Sequence, residues 1–310
     1  MHEKTFSSYD RVRPVKAGQI FEGKVFFMAQ FTNQATLSYN NAVINSNIAV
    51  GEILEVLSAT KTAVGDSYSQ NDNVTYVISI VNAGAAAFTG LSLTDDLGAY
   101  SFGTGTVTPL TYVDSTVRYY ENGILQTAPA VTVGPPLTIS GISVPAGGNA
   151  IIIYEAEVNQ FAPASLESVI TNTAVLSGGG ITPITVTETI SALSEPLLTI
   201  TKSVSPVPVT ENGRLTYTFL IQNTGNAPIE ATDNAVITDI FDPILSNLAV
   251  VFNGTAWTEG PDYAYDEATG TFTTVGGNIT VPAATYSQDP TTGAWTVNPG
   301  VSTLVISGTV

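Results

Sequence analysis

The chain has 310 residues, room for two ordinary domains, with 44% hydrophobic residues, only 11% charged ones and a formal net charge of −17. That charge argues against nucleic acid or an anionic membrane surface as a partner. The absence of cysteine removes disulfides and thiol chemistry, and the single histidine, His2, reads as a surface residue, so neither a metal nor a cofactor is implied.

Residues 1–30 carry five of the nine basic residues, four of them concentrated in Arg11, Arg13, Lys16 and Lys24, and are expected to form an arm laid along an adjacent acidic subunit or a disordered lead. They hold no signal-peptide core, since the apolar run from Val25 to Ala29 is too short and too far in, and no stretch of the chain is long enough to span a bilayer. From there on nearly every segment reads as strand. VTYVISIVN (residues 74–82) and LTYTFLIQN (215–223) alternate with period two and are rich in β-branched and aromatic residues. Asn122-Gly123, Asn212-Gly213 and Asn253-Gly254 supply hairpin turns. The acidic turns around Asp262, Asp266, Glu267 and Asp289 have no calcium-loop spacing and read as solvated hairpin tips. Regularly spaced short strands of this kind predict an all-β chain of tandem sandwiches.

An internal repeat organises those strands. LSATKTAV (57–64) returns as LTITKSVS (198–205), VTYVISIVNAG as LTYTFLIQNTG, LSLTDDL (91–97) as AVITDIF (235–241), and VPAGGNAIIIYEAEV (144–158) more loosely as VNPGVSTLVISGTV (297–310). The first unit continues through VITNTAVLSGG (169–179) and VTETISALSEP (186–196); the second stops at Val310. At the other end, QFTNQATLSYN (30–40) matches VITNTAVLSGG, and SNIAVGEILEV (46–56) takes the place of VTETISALSEP. Asn33 precedes Lys61 by 28 residues and Asn172 precedes Lys202 by 30. The expected layout is therefore an arm (1–30), donor strands (31–56), a complete sandwich (57–196) and an incomplete acceptor sandwich (197–310).

The alternation also places polar groups inward. Lys61 is in phase with Leu57, Ala59 and Ala63, and Lys202 with Leu198, Ile200 and Val204. Asn172 keeps phase with Ile170, Ala174 and Leu176, and Asn33 with Phe31, Ala35 and Leu37. Asp95 keeps phase with Leu91, Leu93 and Leu97, and Asp239 with Ile237 and Phe241. Buried charges are costly unless paired. Burial favours a neutral amine and a protonated carboxyl, so the lysine can attack the asparagine carbonyl while the acid polarises it, leaving an amide and ammonia. Such bonds would join Lys61 to Asn172 with Asp95 as the acid, and Lys202 to Asn33 of the next subunit with Asp239 as the acid. A hydrogen-bonded Lys–Asp pair with the asparagine alongside is the alternative.

The ordered signatures TK(T/S), TY-x-(I/F), N-x-G, (L/I)TD and TN-x-A resemble a bacterial surface-repeat family catalogued as domain of unknown function eleven, with prealbumin-like, immunoglobulin-like folds. The resemblance covers roughly residues 31–310 and implies a long, repetitive surface protein in which Lys–Asn isopeptide bonds occur. It also implies that the last strand of one domain leads directly into the first of the next. Residues ending at Val56 would then sit at the front pole of the first sandwich, roughly 30 Å from the rear cleft. The few residues up to Lys61 reach at most about 17 Å, so a neighbouring chain is the expected donor.

The reading is a non-enzymatic structural subunit, polymerising head-to-tail with itself on a cell or spore surface or in the extracellular space, reached without a classical signal peptide, either by assembly inside a cell and release on lysis or by a dedicated export system. A monomeric surface adhesion or binding module is the rival reading.

Overall fold

The computed structural model describes residues 17–21 and 24–310, with side chains from residue 31 onward except 52–54. The proposed arm contact through Arg11, Arg13 and Lys16 lies outside the described residues. Among the described residues the only helical element is a single 3-10 turn at Ala231–Asp233; the rest is strand and loop, arranged as tandem β-sandwiches. No helix among them is long and apolar enough to cross a membrane.

The first sandwich packs two six-stranded sheets. One runs Ile124–Leu125, Arg118–Glu121, Asn149–Val158, Asn73–Asn82, Leu57–Val64, with Leu110–Tyr112 alongside Asn149–Val158. The other runs Ala130–Thr132, Leu137–Val144, Phe88–Asp95, Val169–Gly178, Ile184–Ala192, Ser67–Tyr68. Period-two alternation turns one face of each strand inward: Tyr76, Ile78, Ile152 and Tyr154 join Leu91, Leu93, Ile139 and Leu176 in one core.

The second sandwich has a five-stranded sheet ordered Leu198–Ser205, Arg214–Asn223, Gly300–Thr309, Ser246–Phe252, Thr255–Trp257. Against it lies a short sheet of Thr238–Ile240, Thr271–Thr274 and Tyr263–Asp266, closed over Tyr217, Phe219, Phe241, Phe272 and Ile306. In the first sandwich the acid-bearing strand Phe88–Asp95 is flanked on both sides, by Leu137–Val144 and Val169–Gly178. Its counterpart Thr238–Ile240 pairs with Thr271–Thr274 alone among the described residues, leaving its second edge open.

The repeat alignment needs one correction. Asn82 and Asn223 are buried and staple equivalent loops: each Nδ2 donates to a proline carbonyl, Pro145 at 2.9 Å and Pro282 at 3.1 Å, and each Oδ1 accepts from a glycine amide two residues on. Residues 144–146 therefore correspond to 281–283, not to 297–299. The tight turn at Gly147-Gly148 is replaced in the second unit by an inserted hairpin, Thr285–Gln288 with Trp295–Asn298. The insertion reaches back over the first sandwich. Trp295 N donates to the Gln160 carbonyl at 2.8 Å, and Trp295 Nε1 and Gln288 Nε2 both donate to the Tyr100 hydroxyl. Asn226 closes the other side of the joint, donating to the Ala164 carbonyl at 3.1 Å and accepting from Glu195 N at 3.2 Å.

Ahead of the first sandwich, Lys24–Asn33 pairs with Ala49–Glu55 and Thr36–Tyr39 with Ala42–Asn45, a long hairpin whose tip, Asn40-Asn41, has φ of 43° and 64°. Two consecutive left-handed residues are the geometry of a tight hairpin turn, which asparagine tolerates better than other side chains. Ala17–Phe21 adds a third strand beside Lys24–Asn33, so that strand starts seven residues ahead of residue 31.

Candidate cross-linking site

Lys61 is the one buried residue of Leu57–Val64, and Asp95 closes the inward face of Phe88–Asp95 on the opposite sheet. Lys61 Nζ lies 2.7 Å from Asp95 Oδ2, with the side chains 0% and 1% exposed. Asp95 Oδ1 accepts from Leu97 N at 2.9 Å. The Lys61 ammonium also sits 4.8 Å over the Tyr76 ring, which stacks on Tyr154 at 5.5 Å. Burial pulls the Lys61 amine below its usual 10.5, and the Asp95 carboxylate opposes that shift.

Asn172 comes from Val169–Gly178, the strand beside the acid, where Ala174 pairs with Asp95. It is fully buried. Its Nδ2 donates to the Tyr154 hydroxyl at 3.4 Å, while its Oδ1 has no hydrogen-bond partner. The Tyr154 hydroxyl in turn donates to Asp95 Oδ2 at 2.5 Å. Burial, then the adjacent Asp95 carboxylate, keeps that phenol protonated well above its ordinary range. Lys61, Asp95 and Asn172 are thus linked, through Tyr154, in one buried hydrogen-bonded cluster. The two tyrosines are in phase with neighbouring apolar residues and read as ordinary core positions. Their polar ends become visible only once the register sets Tyr154 opposite Tyr76.

The second sandwich brings together two of the three groups. Lys202 pairs with Asp239, and its Nζ lies 4.3 Å from the Tyr217 ring centroid and 5.5 Å from that of Phe241. The side chains are 37% and 18% exposed, so the inward burial expected for this pair differs here. The reason is local: every residue of Leu198–Ser205 is exposed, because no strand covers that face among the described residues. Asn33 ends the strand Lys24–Asn33 and is exposed, as are Phe31, Ala35 and Leu37. No strand pairing or hydrogen bond among the described residues joins 31–56 to 197–310. The acidic turns are self-contained: Asp289 Oδ1 accepts from the amides of Thr291 and Thr292, and Asp266 from Ala268 N.

No family model matches the chain, and no curated protein matches it. Solved structures similar to it include the pilus backbone RrgB of Streptococcus pneumoniae, at 14% identity over 78% of this chain and 55% of that one, TM-score 0.32. BcpA, the major pilin subunit of Bacillus cereus, is 12% identical over 87% of this chain and 73% of that one, TM-score 0.33. The full-length major pilin SpaD of Corynebacterium diphtheriae is 12% identical over 89% and 71%, TM-score 0.33. The chain spans just over half the length of the first of these.

Proposed function

We propose that the chain is a structural subunit of a surface filament, in which residues 31–56 of one molecule complete the second sandwich of the next. The observation that carries this reading is a difference between two equivalent strands. Leu57–Val64 lies under cover with Lys61 buried, whereas Leu198–Ser205 is exposed along its whole length beside an edge of Thr238–Ile240 that is unpaired among the described residues. An apolar face and an open edge of this kind invite strand addition.

The donor has matching needs. Phe31, Leu37, Val43, Ile44 and Val50 are all exposed on the hairpin. Hairpins of that kind are marginal in water, and each large aliphatic or aromatic side chain buried at a joint contributes roughly 1.5–3 kcal/mol. The contact is head-to-tail and unclosed, so it propagates into a fibre. The function is mechanical, not enzymatic, and the site of use is a cell or spore surface.

Covalent locks complete the reading. Lys61 attacks Asn172 within each molecule, and Lys202 attacks Asn33 of the incoming molecule, with Asp95 and Asp239 as the respective acids. Electron microscopy of purified chain tests the assembly step. Full-length protein is expected to form fibres and a chain deleted of residues 31–56 is not; fibres from the deleted chain would overturn the reading.

A further inference from the structure

The Tyr154 hydroxyl stands between the acid and the amide. It donates to Asp95 Oδ2 at 2.5 Å and accepts from Asn172 Nδ2 at 3.4 Å, while Lys61 Nζ holds the same carboxylate oxygen at 2.7 Å. A continuous hydrogen-bonded path so runs from the attacking amine, through carboxylate and phenol, to the nitrogen that has to leave. Asn172, Asp95 and Tyr154 are fully buried and Lys61 nearly so, which leaves solvent no open route to Nδ2. An amide nitrogen leaves as ammonia only if it gains a proton, and here a side chain has to supply it.

We propose that Tyr154 is a catalytic residue of the cross-linking reaction, relaying a proton from Asp95 to the departing Nδ2 of Asn172; the inference rests on the covalent reading above. Lys61 gives one proton to Asp95 and attacks Cγ of Asn172, forming the Nζ–Cγ bond. As the Cγ–Nδ2 bond breaks, the phenol passes its proton to Nδ2 and takes the one held by Asp95. Nζ then gives a second proton to the freed Asp95 carboxylate, so of its three protons one stays on the new amide, one replaces on the phenol the proton that left with ammonia, and one ends on Asp95. The pair begins as ammonium and carboxylate and ends as neutral amide and neutral acid, so charge balances.

The second sandwich lacks the relay. Ile306 stands opposite Tyr217 where Tyr154 stands opposite Tyr76, and among the described residues no phenol donates to Asp239. The bond inside the first sandwich therefore forms on folding, and the bond between subunits lags behind it. Strand addition has time to dissociate and correct its register before it is locked.

Chain made by cell-free synthesis and sampled by mass spectrometry tests this on the proteolytic fragments that hold each pair. Tyr154→Phe keeps the ring and its packing and loses only the hydroxyl. It is expected to slow ammonia loss between Lys61 and Asn172 by about 10²–10⁴-fold, the range for a lost general acid, and to abolish the solvent deuterium effect on that rate. In fibres, Ile306→Tyr is expected to speed ammonia loss between Lys202 and Asn33. Unchanged rate and isotope effect in folded Tyr154→Phe chain overturn the relay, whether or not Ile306→Tyr folds. A wild-type chain that retains its ammonia at Lys61 instead removes the covalent reading itself.

Discussion

Lys61 and Lys202 occupy the same register in their sandwiches, paired across the strand with Ile78 and Phe219, yet one side chain is 0% exposed and the other 37%. The difference lies in what covers them. Removing one partner of a buried ion pair strands the other, so in Asn172→Ala chain, where the amide cannot form, adding Lys61→Ala should destabilise the first sandwich by about 3–5 kcal/mol. In unassembled chain Lys202→Ala should cost under about 1 kcal/mol, as for other solvent-screened pairs. Urea unfolding of the two variants, each sandwich followed separately, reads the contrast; equal losses would mean the second pair is covered in solution.

Lys61 also sets a pH dependence in chain that cannot form the amide, such as Asn172→Ala. Burial lowers its folded pKa below the 10.5 of the unfolded chain. Between those two values the unfolded state binds the extra proton, so stability rises with pH across that window and is flat below it. Adding Lys61→Met should remove the rise. Persistence of the slope in the double variant would assign it to other groups.

The joint between the sandwiches should be stiff because of the inserted hairpin. The chain has no cysteine, so Asp114→Cys and Thr255→Cys provide a unique spin-label pair across it. In labelled chain diluted into unlabelled chain, a narrow distance distribution is expected. Trp295→Ala together with Gln288→Ala, which removes both contacts to Tyr100, should broaden it. An unchanged width would place the stiffness at Asn226 instead.

Much of this was legible from alternation alone. The phase of Lys61 with Leu57 and Ala63, and of Asp95 with Leu93, places both side chains inside, because a strand has only two faces. The Asn122-Gly123 turn has φ of 47° and 79°, as the dipeptide predicts. Three features needed coordinates. Tyr154 is indistinguishable from a core aromatic until the register across strands is known. The exposure of Lys202 depends on a covering strand, which phase within its own strand cannot report. The inserted hairpin was hidden because VNPG mimics VPAG at the wrong place in the loop.

Asn33→Ala separates adhesion from locking. The main-chain pairing of the donor survives this change, so fibres should still form. Boiled in denaturant, wild-type fibres are expected to leave ladders and Asn33→Ala fibres only monomers. Ladders from the variant would place the cross-link at another residue.

Thr36 and Thr238 are the counterparts of Val175 and Thr94, which face each other across neighbouring strands of the first sandwich. Facing residues on antiparallel strands have Cα atoms about 4.5–5.5 Å apart, within the span of a disulfide. Chain carrying only Thr36→Cys is mixed with chain carrying only Thr238→Cys and oxidised, then run on a non-reducing gel. A dimer of one of each, absent from either chain alone, is the expected result. No dimer from the mixture, with an internal disulfide in chain carrying both changes, would show that the hairpin completes its own molecule and contradict the account.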